Sequence, residues 1–448
     1  MNSDSLDDLS DKMYGFTLLN CPPSILTPRV GRLCLKARKP IQTPHYIPIT
    51  SRGAFPHVSH DMMRDHMSVQ SLYTGLEDYD LLLILGPRRV PPVACTTPNT
   101  SNSITILTSV GFRQLEAEEY VEAIRKLQPD FAIGLADLVL TQPPGVKRRE
   151  RMVDRTHMWT RGTINQLYTA PDPSEVPLRS LFLAPLLPLE KELQSLYVQE
   201  LEDEMRDFVS GFALFDGSTV SAVPDSMSHL FRVSLTYPST PHKILKEISL
   251  GVDLITVSFI GAASDAGLAF DFAFPQPLTK SESGPLPLAF DMWPSSHAVD
   301  VAPLTAGCEC YTCKNHHRAY VQHLLNAREM LAWTLLQIHN HKVVDRFFAE
   351  VRKSILRGTF SEDAETFERT YISEFPEQTG LGPRIRGYQV KSEYRAQKKN
   401  PKVYGRLDDH TEKLMEAESS VATPDTGAEE LQAHGFAEKT DKTSLYNP

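Results

Sequence analysis

Residues 308–340 read CECYTCKNHHRAYVQHLLNAREMLAWTLLQIHN. Three cysteines fall at 308, 310 and 313, so three thiolates can wrap one tetrahedral ion on a tight loop. A structural zinc site needs a fourth donor. The residues that follow offer His316, His317, His323, His339 and His341. Apolar residues recur at helical spacing through Val321, Leu324, Leu325, Met330, Leu331, Leu335 and Ile338, which predicts one helix over 315–338. Such a helix would be about 36 Å long if straight. His339 returns to the cysteines only if that helix breaks or turns back, and His316 and His317 lie too close in sequence for easy closure. Spacing alone does not choose among the histidines.

Downstream, a second helix is expected over 343–356. From about 376 the chain turns polar and charged, and 390–448 reads as a largely disordered tail. Upstream, residues 14–35 alternate apolar and polar around a Pro-rich turn and predict a hairpin. IQTPHYIPI (41–49) reads as a short buried strand broken by prolines. Further strand-length apolar runs lie at 80–85, 104–108, 131–138, 180–187, 209–215 and 252–259. Continuous runs of this kind suit strands of a parallel sheet covered on both faces. Helical stretches separate them at 114–127, 146–168, 189–207 and 241–250, the last with Pro241 near its start and Gly251 just beyond its end. Strand and helix therefore alternate over 40–260, a βα architecture. Pattern alone leaves a closed eight-fold barrel and an open sheet both standing.

The chain has 448 residues, 41% of them hydrophobic, and a formal net charge of −10. An acidic protein is not drawn to nucleic acid by its overall field, so RNA contact requires a local basic patch. Lys147, Arg148, Arg149 and Arg151 form one such run, competing with the plainer reading of a solvated helix start. Asp137, in GLADL, is a polar residue at a strand end with a remaining pocket role as one option. The other cysteines, Cys21, Cys34 and Cys95, are scattered. MNSDSLDDLSDKMYGF is acidic and polar, unlike a secretory leader, and no apolar run reaches membrane-spanning length. A cytosolic protein with reduced thiols is expected, in which clustered cysteines favour metal over disulfide.

The segment at 308–340 resembles the zinc segment of the tRNA-guanine transglycosylases, which carries C-x-C-x2-C, an Arg-Ala-Tyr helix and a His-Asn pair. In that family the fourth ligand follows the last cysteine by 26 residues, which from Cys313 lands on His339. The likeness thus implies one structural zinc on Cys308, Cys310, Cys313 and His339, and a bent or two-piece helical path. TPHYIPITSRGAFPHV (43–58), VDRTHMWTRG (153–162) and ILKEISLGVDLI (244–255) are similar to family segments in the same order. The implied fold is a (β/α)8 TIM barrel over 14–375 with an inserted zinc subdomain at about 295–345. It would be flanked by a flexible N-terminus (1–13) and the tail (376–448).

The family exchanges a guanine in the tRNA anticodon for a modified base, using an Asp nucleophile on the ribose C1′ and a second Asp as general acid/base. In this chain Thr256 stands where G-V-D-x-F-D carries the nucleophile, and Asp253 matches the earlier, non-nucleophilic Asp. Thr108 stands at the second Asp, Val110 at a glycine of D-S-G-G-F-Q, and Leu186-Leu187-Pro188 at the base-recognising Q-G-G turn. An unactivated threonine is a poor nucleophile. The pattern is similar to the family's inactive eukaryotic paralogue, which implies no catalytic residues, a catalytic partner in a heterodimer, and tRNA bound within the complex. The shared reaction would place queuine at the wobble position of tRNAs with GUN anticodons. Paired subunits of the family meet around their zinc regions, so the helix after Cys313 is expected at the interface. The likeness further implies a cytoplasmic location, peripheral at the mitochondrial outer membrane. An active enzyme using other residues is disfavoured by the missing carboxylates, and a free-standing zinc RNA-binding module by the net charge of −10.

Overall fold

The computed structural model describes residues 15–20, 22–35, 38–49, 56–67, 71–72, 82–95, 97–108, 111–169, 179–275, 284–377 and 379–383. The expected flexible N-terminus at 1–13, Val110 and the tail beyond Pro383 lie outside these residues. The predicted hairpin is present as β1 (Gly15–Leu18) and β2 (Gly31–Cys34), and β3 (Ile41–Thr43) joins it antiparallel. The strand expected at 41–49 divides at Pro44, whose nitrogen has no hydrogen to donate, into β3 and β4 (His45–Pro48).

The chain then runs through α1 (His60–His66), β5 (Ser71–Leu72) and β6 (Leu82–Leu85). A hairpin of β7 (Ser103–Thr108) and β8 (Gly111–Glu116) leads into α2 (Ala117–Leu127) and β9 (Phe131–Ile133). After it come α3 (Val146–Ile164), β10 (Leu181–Leu186), α4 (Ser195–Asp203), β11 (Val209–Leu214) and β12 (Phe231–Ser234). Finally α5 (Pro241–Ser249), β13 (Leu254–Val257) and α6 (Phe259–Ala266) complete this part of the chain.

Eight strands form one sheet in the order β4-β13-β12-β11-β10-β9-β6-β5, and the paired neighbours are parallel. That order is the chain order with the last strand paired back onto the first, Thr256 opposite Ile47. β5 lies beside β4 on its other side. A ring of sequential parallel strands with intervening helices is a TIM-like barrel. Alternate residues fill its interior, among them Ile47, Ile84, Ile133, Leu183, Val233 and Leu254. Their neighbours Tyr46, Phe182, Phe212 and Ile255 face outward into the layer of helices. Leu33 and Ile41 join the interior cluster, so the β1–β3 sheet covers the end where the barrel strands begin. A buried ion pair, Arg29 with Asp253, ties that cover to the approach to β13. Gly251 is needed there: its φ is +85°, and a Cβ would meet the Arg232 side chain at 2.8 Å and the Thr27 carbonyl at 2.9 Å.

Several expectations are corrected. Residues 104–108 do not join the parallel sheet. They pair antiparallel with 111–116, because only the face carrying Ile104 is covered, by Tyr120, Val121 and Ile124 of α2 and by Trp159. For the same reason α2 starts at Ala117 and not at 114. The helix expected over 189–207 is a 3-10 turn at Lys191–Gln194 followed by α4. β12 was not anticipated.

Beyond the barrel lie β14 (Leu268–Phe270), β15 (Ala289–Asp291), α7 (Tyr311–Asn315), α8 (Arg318–Asn326), α9 (Met330–Arg357) and α10 (Phe360–Thr370). They replace the single helix expected over 315–338, and the helix expected at 343–356 is the second half of α9. α8 stops at Ala327. Arg328 takes a left-handed conformation (φ 54°), and the Glu329 N–H returns to the Leu324 carbonyl at 2.9 Å before α9 begins. This part has its own core, including Ala269, Met292, Leu304, Val321, Leu325 and Trp333. No helix among the described residues is long and apolar enough to cross a membrane.

Candidate metal centre and catalytic positions

Cys310 ends the loop that precedes α7 and caps that helix, its Sγ accepting the Cys313 N–H at 3.3 Å. This folds Cys308, Cys310 and Cys313 around one point. The break at Arg328 turns the chain back, and α9 carries His339 to the same point. Thr312 fixes the approach by donating its hydroxyl to the Leu335 carbonyl at 2.7 Å. The Nδ1 atom of His339 lies 3.8, 3.6 and 3.4 Å from the sulfurs of Cys308, Cys310 and Cys313. The four donor atoms lie within 4.8 Å of one another, a group that could hold a metal ion. Bond lengths usual for zinc in a tetrahedron would separate sulfur and nitrogen by about 3.6 Å, and the three distances bracket that value. Among the five histidines left open by spacing, His339 alone joins this group. His341 is instead bonded to the Tyr46 hydroxyl at 3.0 Å.

The second nitrogen of His339 decides its tautomer. Nε2 donates to the Phe270 carbonyl at 2.9 Å, which leaves the Nδ1 lone pair for a cation. The next residue holds the same strand. Asn340 accepts the Phe270 N–H at 2.9 Å and donates to Ser264 Oγ at 2.9 Å and the Leu268 carbonyl at 3.0 Å. Burial alone would push the His339 imidazole down, but hydrogen bonds to Cys308 and Cys313 outweigh it and hold the ring up at about 9. The sulfurs thus favour positive charge at their centre, which a bound metal ion would supply.

The catalytic positions are built differently. Thr256 is buried near the end of β13, and its hydroxyl donates to the Ser234 carbonyl of β12 at 3.0 Å. Thr108 lies at the end of β7, where its hydroxyl donates to the Gly111 carbonyl at 2.8 Å. At 186–188, Leu186 and Leu187 are buried, and Gln194 occupies the Leu187 backbone from both sides, at 2.9 and 3.0 Å. Asp253 is fully buried in its ion pair with Arg29, at the opposite end of the strand from Thr256.

The basic run is largely tied up. Arg148 makes two bonds to Asp137, at 2.7 and 2.6 Å, and Arg149 pairs with Glu190 at 2.5 Å. Lys147 and Arg151 are exposed. Asp137 is fully buried and also accepts from Asn99 and Arg155, at 2.6 and 3.1 Å. Burial would raise its carboxyl, but the hydrogen bonds from Arg148 and Asn99 outweigh it and hold it below the usual range. Sequence reading singled out Asp137 without finding Arg155 or Asn99, which carry no local signal.

Comparison with known proteins agrees with the likeness. The family model described as queuine tRNA-ribosyltransferase matches residues 75–373. A Schizosaccharomyces pombe protein named queuine tRNA-ribosyltransferase accessory subunit 2 is 35% identical over 81% of this chain and 86% of its own length. Proteins of the same name from Drosophila mojavensis and Xenopus tropicalis are each 26% identical over 74% of this chain, covering 87% and 93% of their own lengths. With the barrel, the segment order and these matches together, the chain belongs to the queuine tRNA-ribosyltransferase family.

Proposed function

We propose that this chain is the non-catalytic subunit of a heterodimeric queuine tRNA-ribosyltransferase. It supports a catalytic partner that exchanges guanine for queuine at the wobble position of tRNAs with GUN anticodons. The observation that carries this reading is the pair of threonines at the two catalytic positions. The Thr256 hydroxyl is held by the Ser234 carbonyl, which cannot take its proton, so nothing there makes a nucleophile. The accessory-subunit name shared by the relatives supports the same role.

We assign one structural zinc to Cys308, Cys310, Cys313 and His339. Three thiolates and one imidazole form a closed, soft donor set, which suits zinc held for structure and leaves no position for a reacting water. The barrel body is taken as 14–375, its metal subdomain as about 295–345, and 376–448 as a polar tail. The partner is placed against α7 and α8. There the rings of His66, Tyr311, His316 and Tyr320 stack in series at 4.3, 5.7 and 5.0 Å, partly open to solvent. Aromatic residues of this kind are enriched at interfaces. tRNA is bound by the complex. The cytoplasm, including the outer face of the mitochondrion, is the compartment this reading assigns.

The test is exchange of radiolabelled guanine into tRNA by this chain, by the catalytic paralogue, and by their mixture. Exchange that requires the mixture is expected. Exchange by this chain alone, at the rate of the mixture, would overturn the reading.

A further inference from the structure

A polar cavity beside the β7–β8 hairpin is used by neither the metal centre nor the catalytic positions. It holds about 310 Å3, and its walls include Arg88, Asn99, Thr105, Leu138 and Arg148. Asp137 supplies the nearest negative charge. Its carboxylate already accepts two bonds from Arg148, one from Arg155 and one from Asn99, which fills its acceptor sites. It therefore acts as an internal counter-ion that fixes the two guanidinium groups. Arg88 stands beside the cluster and donates to the Ala136 carbonyl at 2.9 Å. Three guanidinium groups against one carboxylate leave positive charge in excess.

A second observation is independent of charge. Thr105 is only 3% exposed and lines the same cavity, yet its hydroxyl has no hydrogen-bond partner. A buried polar group left unpaired is costly, so a polar occupant is called for. Water would satisfy the hydroxyl but leave the excess charge unanswered. An apolar occupant would satisfy neither. A compact oxyanion meets both needs, because its oxygens accept from guanidinium forks and from a hydroxyl at once.

We infer that this cavity is a phosphate-binding site, with Arg88, Arg148 and Thr105 as its donors and Asp137 as the residue that positions Arg148. The phosphate is either a backbone group of RNA or a free phosphate. The RNA alternative rests on the function proposed above, whereas the site itself does not.

Titration of the full chain with inorganic phosphate, followed by phosphorus NMR and by thermal shift against chloride at equal ionic strength, tests the site. Wild type should show a phosphate-specific response. Thr105→Val, which keeps the shape and the β-branch, should weaken phosphate binding about tenfold, the loss of one hydrogen bond to a charged acceptor. Its melting temperature without phosphate should stay near wild type. Arg88→Gln should weaken binding at least as much and serves as the second variant. Binding of an anticodon stem-loop RNA distinguishes the sources. If Thr105→Val weakens RNA and phosphate together, the ligand is the RNA backbone; if phosphate alone, it is a free phosphate. No phosphate-specific response by wild type, or equal binding by wild type and both variants, overturns the proposal. The three-sample guanine exchange is read separately, so failure of the subunit reading leaves this result interpretable.

Discussion

Replacing Asp253 by Asn separates a structural carboxylate from a chemical one. Asp253 lies three residues before Thr256, about 10 Å along an extended strand, and is a carboxylate of the motif that carries the family's nucleophile. In the structure its Oδ1 accepts Arg29 Nε at 2.9 Å, and its Oδ2 accepts Arg29 Nη2 and the Arg232 N–H, the latter at 2.8 Å. Asp253, Arg29 and Arg232 are 0%, 1% and 1% exposed. Arg29 also donates to the Ser228 and Leu230 carbonyls, at 2.6 and 2.7 Å. Burial, with Arg29 alongside, already pushes Arg232 down to about 9. Asn at 253 would leave two buried guanidinium groups without a counter-charge and turn an amide N–H toward a donor. Breaking a buried pair in this way costs about 3–5 kcal/mol. With an unfolding entropy of roughly 2 cal/mol/K per residue over a body of this size, the melting temperature should fall by about 5 °C. Arg29→Met combined with Asp253→Asn should recover part of that loss, since no buried charge then lacks its partner at position 29. Guanine exchange by the mixture, measured below the melting range at equal folded concentration, should be unchanged. An unaltered melting temperature together with lost exchange would refute the argument and make Asp253 a chemical group.

Three further outcomes are expected. Cys310→Ser should lower the metal content of the purified chain, read by elemental analysis, and expose the 305–330 segment to protease, because Cys310 is both a donor and the cap of α7. Thr256→Val should cost about 1 kcal/mol for the lost hydrogen bond to Ser234 and leave exchange by the mixture intact. His45 is buried, and burial, helped by Arg352, pushes its imidazole down to about 3. The unfolded chain therefore takes up this proton first, near pH 6.5, and stability falls as pH drops from there toward 3. The loss from this residue at pH 5 is about 2 kcal/mol relative to pH 8. His45→Phe should remove it, so thermal melts should favour the variant more at pH 5 than at pH 8; a gap independent of pH would count against the assignment.

The barrel was legible where strands are buried on both faces. The runs at 180–187, 209–215 and 252–259 carry no polar residue that breaks the pattern seriously, and each became a parallel strand. β12 was hidden because Phe231–Ser234 carries Arg232, whose charge is answered by Asp253 and by carbonyls remote in sequence. β7 misled in the other direction: ITILT looks covered on both faces, but only Ile104 reaches the main cluster of its neighbours. Closure of the ring was not legible at all, since the pairing of β13 with β4 joins segments about 200 residues apart and leaves no local trace.

The metal centre shows the same division. Three donors share six residues and announce themselves, whereas the fourth depends on a chain reversal that the sequence does not mark. No Gly or Pro interrupts 315–338, and the turn is made by Arg328 in a left-handed conformation that an Arg only seldom adopts. What stabilises it is tertiary: Trp333 and Leu336 of α9 pack with Val321 and Leu325 of α8 in one small core. That core is joined to the barrel chiefly through α9 and β14. His339 and Asn340 occupy both backbone groups of Phe270, so the residue that donates to the metal and the residue that fixes the strand are neighbours on one helix. A metal ion on the three cysteines would therefore tie the loop at 308–313 to α9, and α9 to β14. Loss of the catalytic carboxylates leaves that chain of contacts untouched, because none of it passes through Thr108 or Thr256. The metal subdomain can thus be retained for its own stability and for pairing after the chemistry is gone.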